Sequence, residues 1–343
     1  MTFRRECWGP GRRYYTWRGT RRTTGGAPGA TRSEPPAPAR AAPAATEAGG
    51  DQAAQPSAPR KGAAMVFVDD AREPFSRYVE RYRVPGGAPV TLADYDAQDT
   101  GPLKKGEGKR LMADLGVRLN ALQELLYATG EHALLVVLQG MDCSGKDGVI
   151  KRVISAMNPQ GFEVTSFKVP TPEELAHDFL WRVHRRVPRR GMVGVFNRSH
   201  YEDVLVARVE SLVPEPVWRM RYGAIRDFER LLAQSGVEVL KFFLHISPEE
   251  QRERLEDRLA DPTEHWKFRA GDLETRKRWD EYMSAFEAAF EECSTDRAPW
   301  YVVPADKKWY RDAVVAQVLV NRLEALQTEW PPLDPAAAEL TIA

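Results

Sequence analysis

The order of apolar segments predicts an α/β fold: a doubly wound parallel sheet of about five strands, with helices on both faces and a charged helical lid. Three observations carry this expectation. Short apolar runs alternate with segments of helical period from about residue 104 onward. The first run, "ALLVVL" (133–138), is wholly apolar, as suits a strand buried on both faces. It leads directly into "GMDCSGKDG" (140–148), the strand–glycine loop–helix order of a phosphate-binding turn.

The elements follow in sequence. Leu111, Leu115, Leu119, Leu122 and Leu126 recur at helical spacing, and Gly130 suits the end of that helix. After the glycine loop, a helix over about 146–157 should stop before Asn158-Pro159. "FEVTSFKV" (162–169) reads as the second strand, and Thr171-Pro172-Glu173-Glu174 as a capping box opening a helix to about Arg186. "MVGVF" (192–196) is the third strand, followed by a helix over about 215–235 that ends at Gly236. "VEVLKFFLHI" (237–246) is the fourth, and Ser247-Pro248-Glu249-Glu250 repeats the capping box. "WYVV" (300–303) is the fifth, and 307–326 is a closing amphipathic helix.

The chain has 343 residues and zero formal net charge, but residues 1–64 carry +7 and the remainder −7. Residues 24–64 are rich in Ala, Pro, Gly and Ser, which bury too little surface to offset the ordering entropy, so 1–64 is expected to be a disordered Arg/Ala/Pro-rich tail. Its Arg-rich start suits a targeting or nucleic-acid arm. The preferred alternative is an over-extended start with Met65 as the true first residue, since the tail has no periodicity. The expected domain spans 65–335, with 336–343 as a C-terminal tail. No apolar run approaches the roughly 18–20 residues of a membrane span, and the start has no secretory apolar core. Three scattered cysteines, Cys7, Cys143 and Cys293, argue against a disulfide framework or zinc site and for a cytoplasmic location. Cys143 reads as small filler, because no activating base is evident beside it.

The chemistry concentrates in strand-end motifs, where open α/β sheets bind ligands. In the loop, Gly140, Ser144 and Gly145 are candidate phosphate contacts, and Lys146 supplies a point charge between phosphates. Asp147 stands where a hydroxyl normally holds Mg²⁺, and a carboxylate beside phosphates is repulsive unless a cation intervenes. In "FNRSHYEDVLV" (196–206), Asn197 occupies the strand end and Arg198 suits a bidentate phosphate contact. Glu202 and Asp203 either stabilise a helix dipole or, opposite a phosphate loop, bind metal or orient an acceptor. Lys151, Lys168, Arg182, Arg185 and Arg186 are either solvated charges or the lining of a polyanion channel. The charged stretch 248–294, interrupted at Asp261-Pro262, is the expected lid, with Arg258 and Lys267 as phosphate contacts from above; two exposed helices with surface ion pairs fit its charges as well. The six histidines show no metal spacing, and His200 reads as a packing or orienting group.

Together "GMDCSGKDG", "FKVPTPEELAHDFLWRVHRRVP", "FNRSHYEDVLV", "HWKF" and "PWYVVPADKKWYRDAVV" resemble the polyphosphate kinase 2 family over roughly 90–330. The resemblance implies a kinase-like P-loop fold, phosphoryl transfer between inorganic polyphosphate and nucleotides, dependence on Mg²⁺ with Mn²⁺ as a substitute, and a basic polymer channel. It places the essential loop aspartate, a metal ligand, at Asp142. The loop lysine falls at Lys146, the second-motif arginine at Arg198 and a lid arginine at Arg258. Many members have Asp where this chain has Asn197, and a small residue where it has Asp147. Asn197 with "SHYED" looks like the subgroup that phosphorylates nucleoside monophosphates as well as diphosphates, which makes AMP, ADP and possible GMP or GDP the expected acceptors. Glu202 and Asp203 could then replace the missing strand-end carboxylate or serve the AMP acceptor. A homo-oligomer is expected, with no membrane or nucleic-acid partner. The competing readings are an ATP-dependent nucleoside monophosphate kinase and a non-catalytic binder of polyphosphate or nucleic acid.

Overall fold

The computed structural model describes residues 72–338. The readings of 1–64 as a disordered tail and of Met65 as the first residue lie outside the described residues, as does most of the expected C-terminal tail. The helices are α1 (Arg72–Tyr78), α2 (Lys105–Thr129), α3 (Lys146–Arg152), α4 (Pro172–Leu175), α5 (Trp181–His184) and α6 (Val206–Val209). They continue as α7 (Glu215–Gln234), α8 (Pro248–Ala260), α9 (Ala270–Lys277), α10 (Trp279–Cys293), α11 (Lys308–Ala325) and α12 (Pro335–Ala338). The strands are β1 (Ala133–Gln139), β2 (Phe162–Ser166), β3 (Val193–Asn197), β4 (Val237–His245) and β5 (Trp300–Pro304).

All pairings between these strands are parallel, in the order β2-β3-β1-β4-β5. The chain fills one side of β1 with β2 and β3, then crosses to place β4 and β5 on the other. The carboxyl end of β1 therefore opens between two halves of the sheet, the position where such folds hold ligands.

Side-chain alternation divides the interior into two cores. Leu134, Val136 and Leu138 of β1 pack under α2 and α11, while Ala133, Leu135 and Val137 face α7 and α10. A strand sandwiched this way must be apolar at every position, which is why "ALLVVL" shows no alternation. The leucine stripe of α2 is buried as its spacing requires, and Gly130 closes the helix at φ +62°.

Several elements depart from the sequence expectation. The helix expected to 157 ends at Arg152 and tightens into a 3-10 turn, Ile154–Ala156. The β-branched Val149, Ile150, Val153 and Ile154 disfavour a longer helix. The helix expected over 171–186 is two single turns. Thr171 and Glu174 form the capping box, but the Asp178 carboxylate then accepts the Leu180 N–H at 3.0 Å and breaks the run. At Ser247 only half of the capping box exists. The Ser247 hydroxyl accepts the Glu250 N–H, but its own N–H goes to Asp306, so the Glu250 carboxylate turns to Arg254. The closing helix α11 is buried around most of its surface rather than on one face. The expected lid is not uniform: α9 buries no residue, whereas α10 buries Tyr282, Phe286 and Phe290 in the core.

One fully buried charged group breaks the apolar pattern of β4. Lys241 is 0% exposed and points into the second core. Its ammonium donates to Glu229 (2.6 Å), the Cys293 carbonyl (2.7 Å) and the Tyr201 hydroxyl (3.0 Å). Glu229 also meets His200 Nε2 at 3.2 Å and accepts from the Tyr201 hydroxyl at 2.9 Å. Burial alone would raise the Glu229 pKa, but Lys241 and His200 hold it below the usual carboxylate value. Removing one partner leaves an uncompensated buried charge. Lys241→Met should therefore lower unfolding free energy by about 3 kcal/mol in urea titrations. The double variant with Glu229→Gln should recover a substantial part of that loss.

Candidate active site

The glycine loop turns because two of its residues adopt conformations closed to side chains. Gly140 has φ +145°, and a Cβ there would sit 2.7 Å from Ser144 Oγ and 2.9 Å from the Leu244 carbonyl. Gly145 has φ +102°, and a Cβ would collide with the Arg311 guanidinium. Between them Cys143 takes φ +66°, a left-handed position unusual for this residue. Burial pushes its thiol pKa up, which does not suit a nucleophile. Ser144 Oγ is buried with no hydrogen-bond partner. Lys146 folds over the loop and donates to the carbonyls of Gly140 (2.7 Å) and Met141 (3.1 Å). Desolvation, aided by Arg198, lowers its pKa.

The second motif comes to the loop across β1 and β3. The Arg198 N–H bonds the Leu138 carbonyl at 3.1 Å, and φ +62° throws the side chain toward the loop. Its guanidinium donates to Asp142 Oδ1 at 2.9 Å and to Glu202 Oε2 at 3.2 Å. Glu202 is the main reason its pKa is raised. Ser199 caps the turn that follows, accepting from the Tyr201 N–H and from Gln139 Nε2, each at 3.1 Å. The two positions that depart from the familiar motif pattern are each other's partners: Asn197 Nδ2 donates to Asp147 Oδ1 at 2.7 Å. An aspartate at 197 would instead face Asp147 as a like charge.

Other sequence candidates divide. Asp203 turns away from Arg198. Its backbone carbonyl (2.8 Å) and Oδ1 (3.3 Å) accept from Arg221, and Arg182 lies 3.8 Å from Oδ2. Burial raises the Asp203 pKa against the pull of these two cations. Arg182 is a correction to the expected channel lining. It is buried over the Phe167 ring and donates to the Lys168 carbonyl at 2.8 Å, so it braces Asp203 rather than facing a polymer. Lys151, Lys168, Arg185 and Arg186 are exposed. Arg258 lies 3.8 Å from Asp272 on α9, and Lys267 pairs with Glu264. Among the described residues, no three or more His, Cys, Asp or Glu side chains converge as a metal cluster.

The residues behind the loop are nearly silent in the sequence. Gln251 and Arg254 of α8 and Arg311 of α11 donate to the carbonyls of Asp142, Cys143 and Ser144. Asp272 of α9 was also missed; its pKa is raised by burial first and then by the Asp142 carboxylate. Only the Glu250–Arg254 spacing offered a signal, and it reads equally as an ordinary helix-surface pair.

A parallel five-stranded sheet with a Gly–Lys loop at the end of its central strand, and an arginine brought in from the neighbouring strand, defines a P-loop phosphotransferase. The sequence model of polyphosphate kinase 2 matches residues 102–331, and the chain belongs to that family of polyphosphate kinases. It is 53% identical over 266 residues to the AMP/ADP-polyphosphate phosphotransferase of Meiothermus ruber, covering 77% of this chain and 100% of that one. It is 44% identical over 270 residues to the ADP-polyphosphate phosphotransferase of Rhodopseudomonas palustris, covering 75% and 93%. The crystal structure of polyphosphate kinase 2 from Arthrobacter aurescens superposes with a TM-score of 0.73 at 47% identity, covering 76% of this chain and 94% of that one. No helix among the described residues is long and apolar enough to cross a membrane.

The Asn197–Asp147 contact is directly testable. Asn197→Asp should lower kcat/KM and cost roughly 1 kcal/mol of stability, the scale of an exposed charge pair with its sign reversed. Adding Asp147→Ser should restore both, as read by steady-state kinetics and thermal unfolding.

Proposed function

We propose that this chain transfers the terminal phosphoryl group of inorganic polyphosphate to AMP and to ADP in one direct in-line displacement, with GMP and GDP as acceptors of the same class. One observation carries the reading: the 2.9 Å contact between Arg198 and Asp142 joins the two strand-end motifs. A donor phosphate cradled by the loop then faces an acceptor phosphate beside Arg198 and Glu202. The name of the Meiothermus ruber relative, matched over its whole length, supports both acceptors.

The chemistry is mostly positioning and charge neutralisation. An acceptor phosphate oxygen attacks the terminal phosphorus. The bond to the bridging oxygen breaks, and the shortened polymer leaves with the electron pair. Loop N–H groups and Lys146 hold the donor, with Ser144 Oγ as a further contact. Arg198 neutralises charge developing between the two phosphates. Glu202, fixed by Arg198, orients the acceptor, whereas Asp203 has an internal role. The exposed Lys151, Lys168, Arg185 and Arg186 form the polymer track, and Arg258 and Lys267 approach from the lid.

Family membership implies a divalent cation, which we assign as Mg²⁺, replaceable by Mn²⁺. Mg²⁺ sites commonly use one or two carboxylates and complete the shell with phosphates and water. Asp142, with Asp272 close enough to feel its charge, fits that donor set. When bound, the ion supplies charge neutralisation between donor and acceptor phosphates. We also assign a cytoplasmic location, where nucleotides are abundant, and self-association as a homo-oligomer.

With Mg²⁺ and polyphosphate as the sole phosphoryl source, AMP should yield ADP and ATP, and ADP should yield ATP. Product from ADP alone would restrict the acceptor range, and turnover of AMP only when ATP is supplied would indicate a nucleotide donor. Asp142→Asn should lower kcat at least ~100-fold, the scale of removing a transition-state electrostatic contact. Full Mg²⁺-dependent activity in that variant would sink the metal assignment.

A further inference from the structure

The carbonyls of loop residues 142–144 are all held from behind. Gln251 Nε2 donates to the Asp142 carbonyl at 2.9 Å. Arg254 Nη1 donates to the carbonyls of Cys143 (2.9 Å) and Ser144 (3.3 Å), and Arg311 Nη1 to that of Ser144 (3.2 Å). Peptide C=O and N–H groups point in opposite directions in a trans peptide. Fixing these carbonyls from one side turns the N–H groups of Cys143 and Gly145 the other way, while the Ser144 N–H closes the turn on the Met141 carbonyl at 3.1 Å.

Arg254 also donates to the carbonyls of Ala305 (2.7 Å) and Asp306 (2.9 Å). With the Ser247–Asp306 bonds, this ties the root of α8 to the end of β5. The first lid helix is therefore a fixed part of the site. Helix α9 is different, since none of its residues is buried. Besides the 3.8 Å approach of Asp272 to Arg258, it reaches the site through Arg276 Nη1, which donates to Gln251 Oε1 at 2.9 Å and to the Pro248 carbonyl at 2.7 Å. The Gln251 amide orientation follows from its partners, because a guanidinium only donates and a carbonyl only accepts. Gln251, 0% exposed, thus stands between Arg276 and the peptide of Asp142, one partner on each side.

We propose that Gln251 is a positioning residue that relays the placement of α9, through Arg276, to the Asp142 peptide. The loop carboxylate then takes its working position only when α9 is docked on α8. This rests on the reading of Asp142 as the loop's functional carboxylate. The relay is tested separately from that reading by a double-mutant cycle between positions 251 and 276, which does not alter Asp142.

Arg276→Met and Gln251→Ala should each lower kcat about tenfold while leaving KM for ADP within about twofold, because the interaction acts on the loop rather than on nucleotide binding. The double variant should be no slower than Gln251→Ala alone. Arg276→Lys, which keeps a donor, should recover part of the rate. Gln251→Glu keeps an acceptor for Arg276 but loses the donor to the Asp142 carbonyl, so it should lose kcat as Gln251→Ala does; it also serves if Gln251→Ala does not fold. Multiplying losses in the double variant, or an unchanged kcat in Arg276→Met, would overturn the relay. A fully active Asp142→Asn would instead remove the premise about the loop carboxylate.

Discussion

A loop that binds phosphates through its backbone must aim N–H groups at the anion, and its carbonyls then need donors elsewhere. That constraint organises much of this molecule. The carbonyls of residues 140–144 are answered by Lys146, Gln251, Arg254 and Arg311, together with the Ser144 N–H. These donors come from three helices, two of which lie more than a hundred residues further along the chain. Arg311 is buried, and desolvation lowers its pKa, but Asp312 accepts from its Nε and Nη2 and keeps the charge paired. Positive charge is thus fixed behind the loop before any anion arrives in front of it, which is the preorganisation that phosphoryl transfer requires.

The carboxylates are placed with the same economy. Four acids of the two strand-end motifs lie in or beside the proposed phosphate site, and three arrangements answer their repulsion. Asp142 and Glu202 share Arg198. Asp147 is met by the neutral amide of Asn197. Asp203 is turned inward onto Arg221 and Arg182. Beneath them, Glu229, Lys241, His200 and Tyr201 lock the second motif to the core through buried hydrogen bonds. His200 Nδ1 is the one ring atom of this network left without a partner, and the remaining bonds hold the turn carrying Arg198 and Glu202 against the sheet.

Much of this was legible in the chain. "ALLVVL" reads as a doubly buried strand and is one, and the spacing of Gly140, Gly145 and Lys146 marked the tight turn into the next helix. Arg198 was legible because it follows a strand end in a parallel sheet. The breaks in the helices around 152 and 178 were harder, since capping residues and β-branched runs compete locally with helical period. Arg182 misled because a basic run looks the same whether its members face solvent or, as here, one of them is drawn inside by two acids and an aromatic ring.

Local sequence determined what depends on neighbours in the chain: strand and helix identity, the glycine turn, and the chemistry offered at each strand end. Family membership was legible for the same reason, being carried by short contiguous motifs. Only the tertiary structure decided which side chain answers which group across the sheet. Gln251 reaching Asp142, Arg254 reaching Cys143 and Asn197 meeting Asp147 join residues between 50 and 111 positions apart. Such pairings follow from strand order and helix docking, and no local period encodes them. The physical reason is that hydrogen bonds are satisfied in space, while periodicity records only which face of an element is buried.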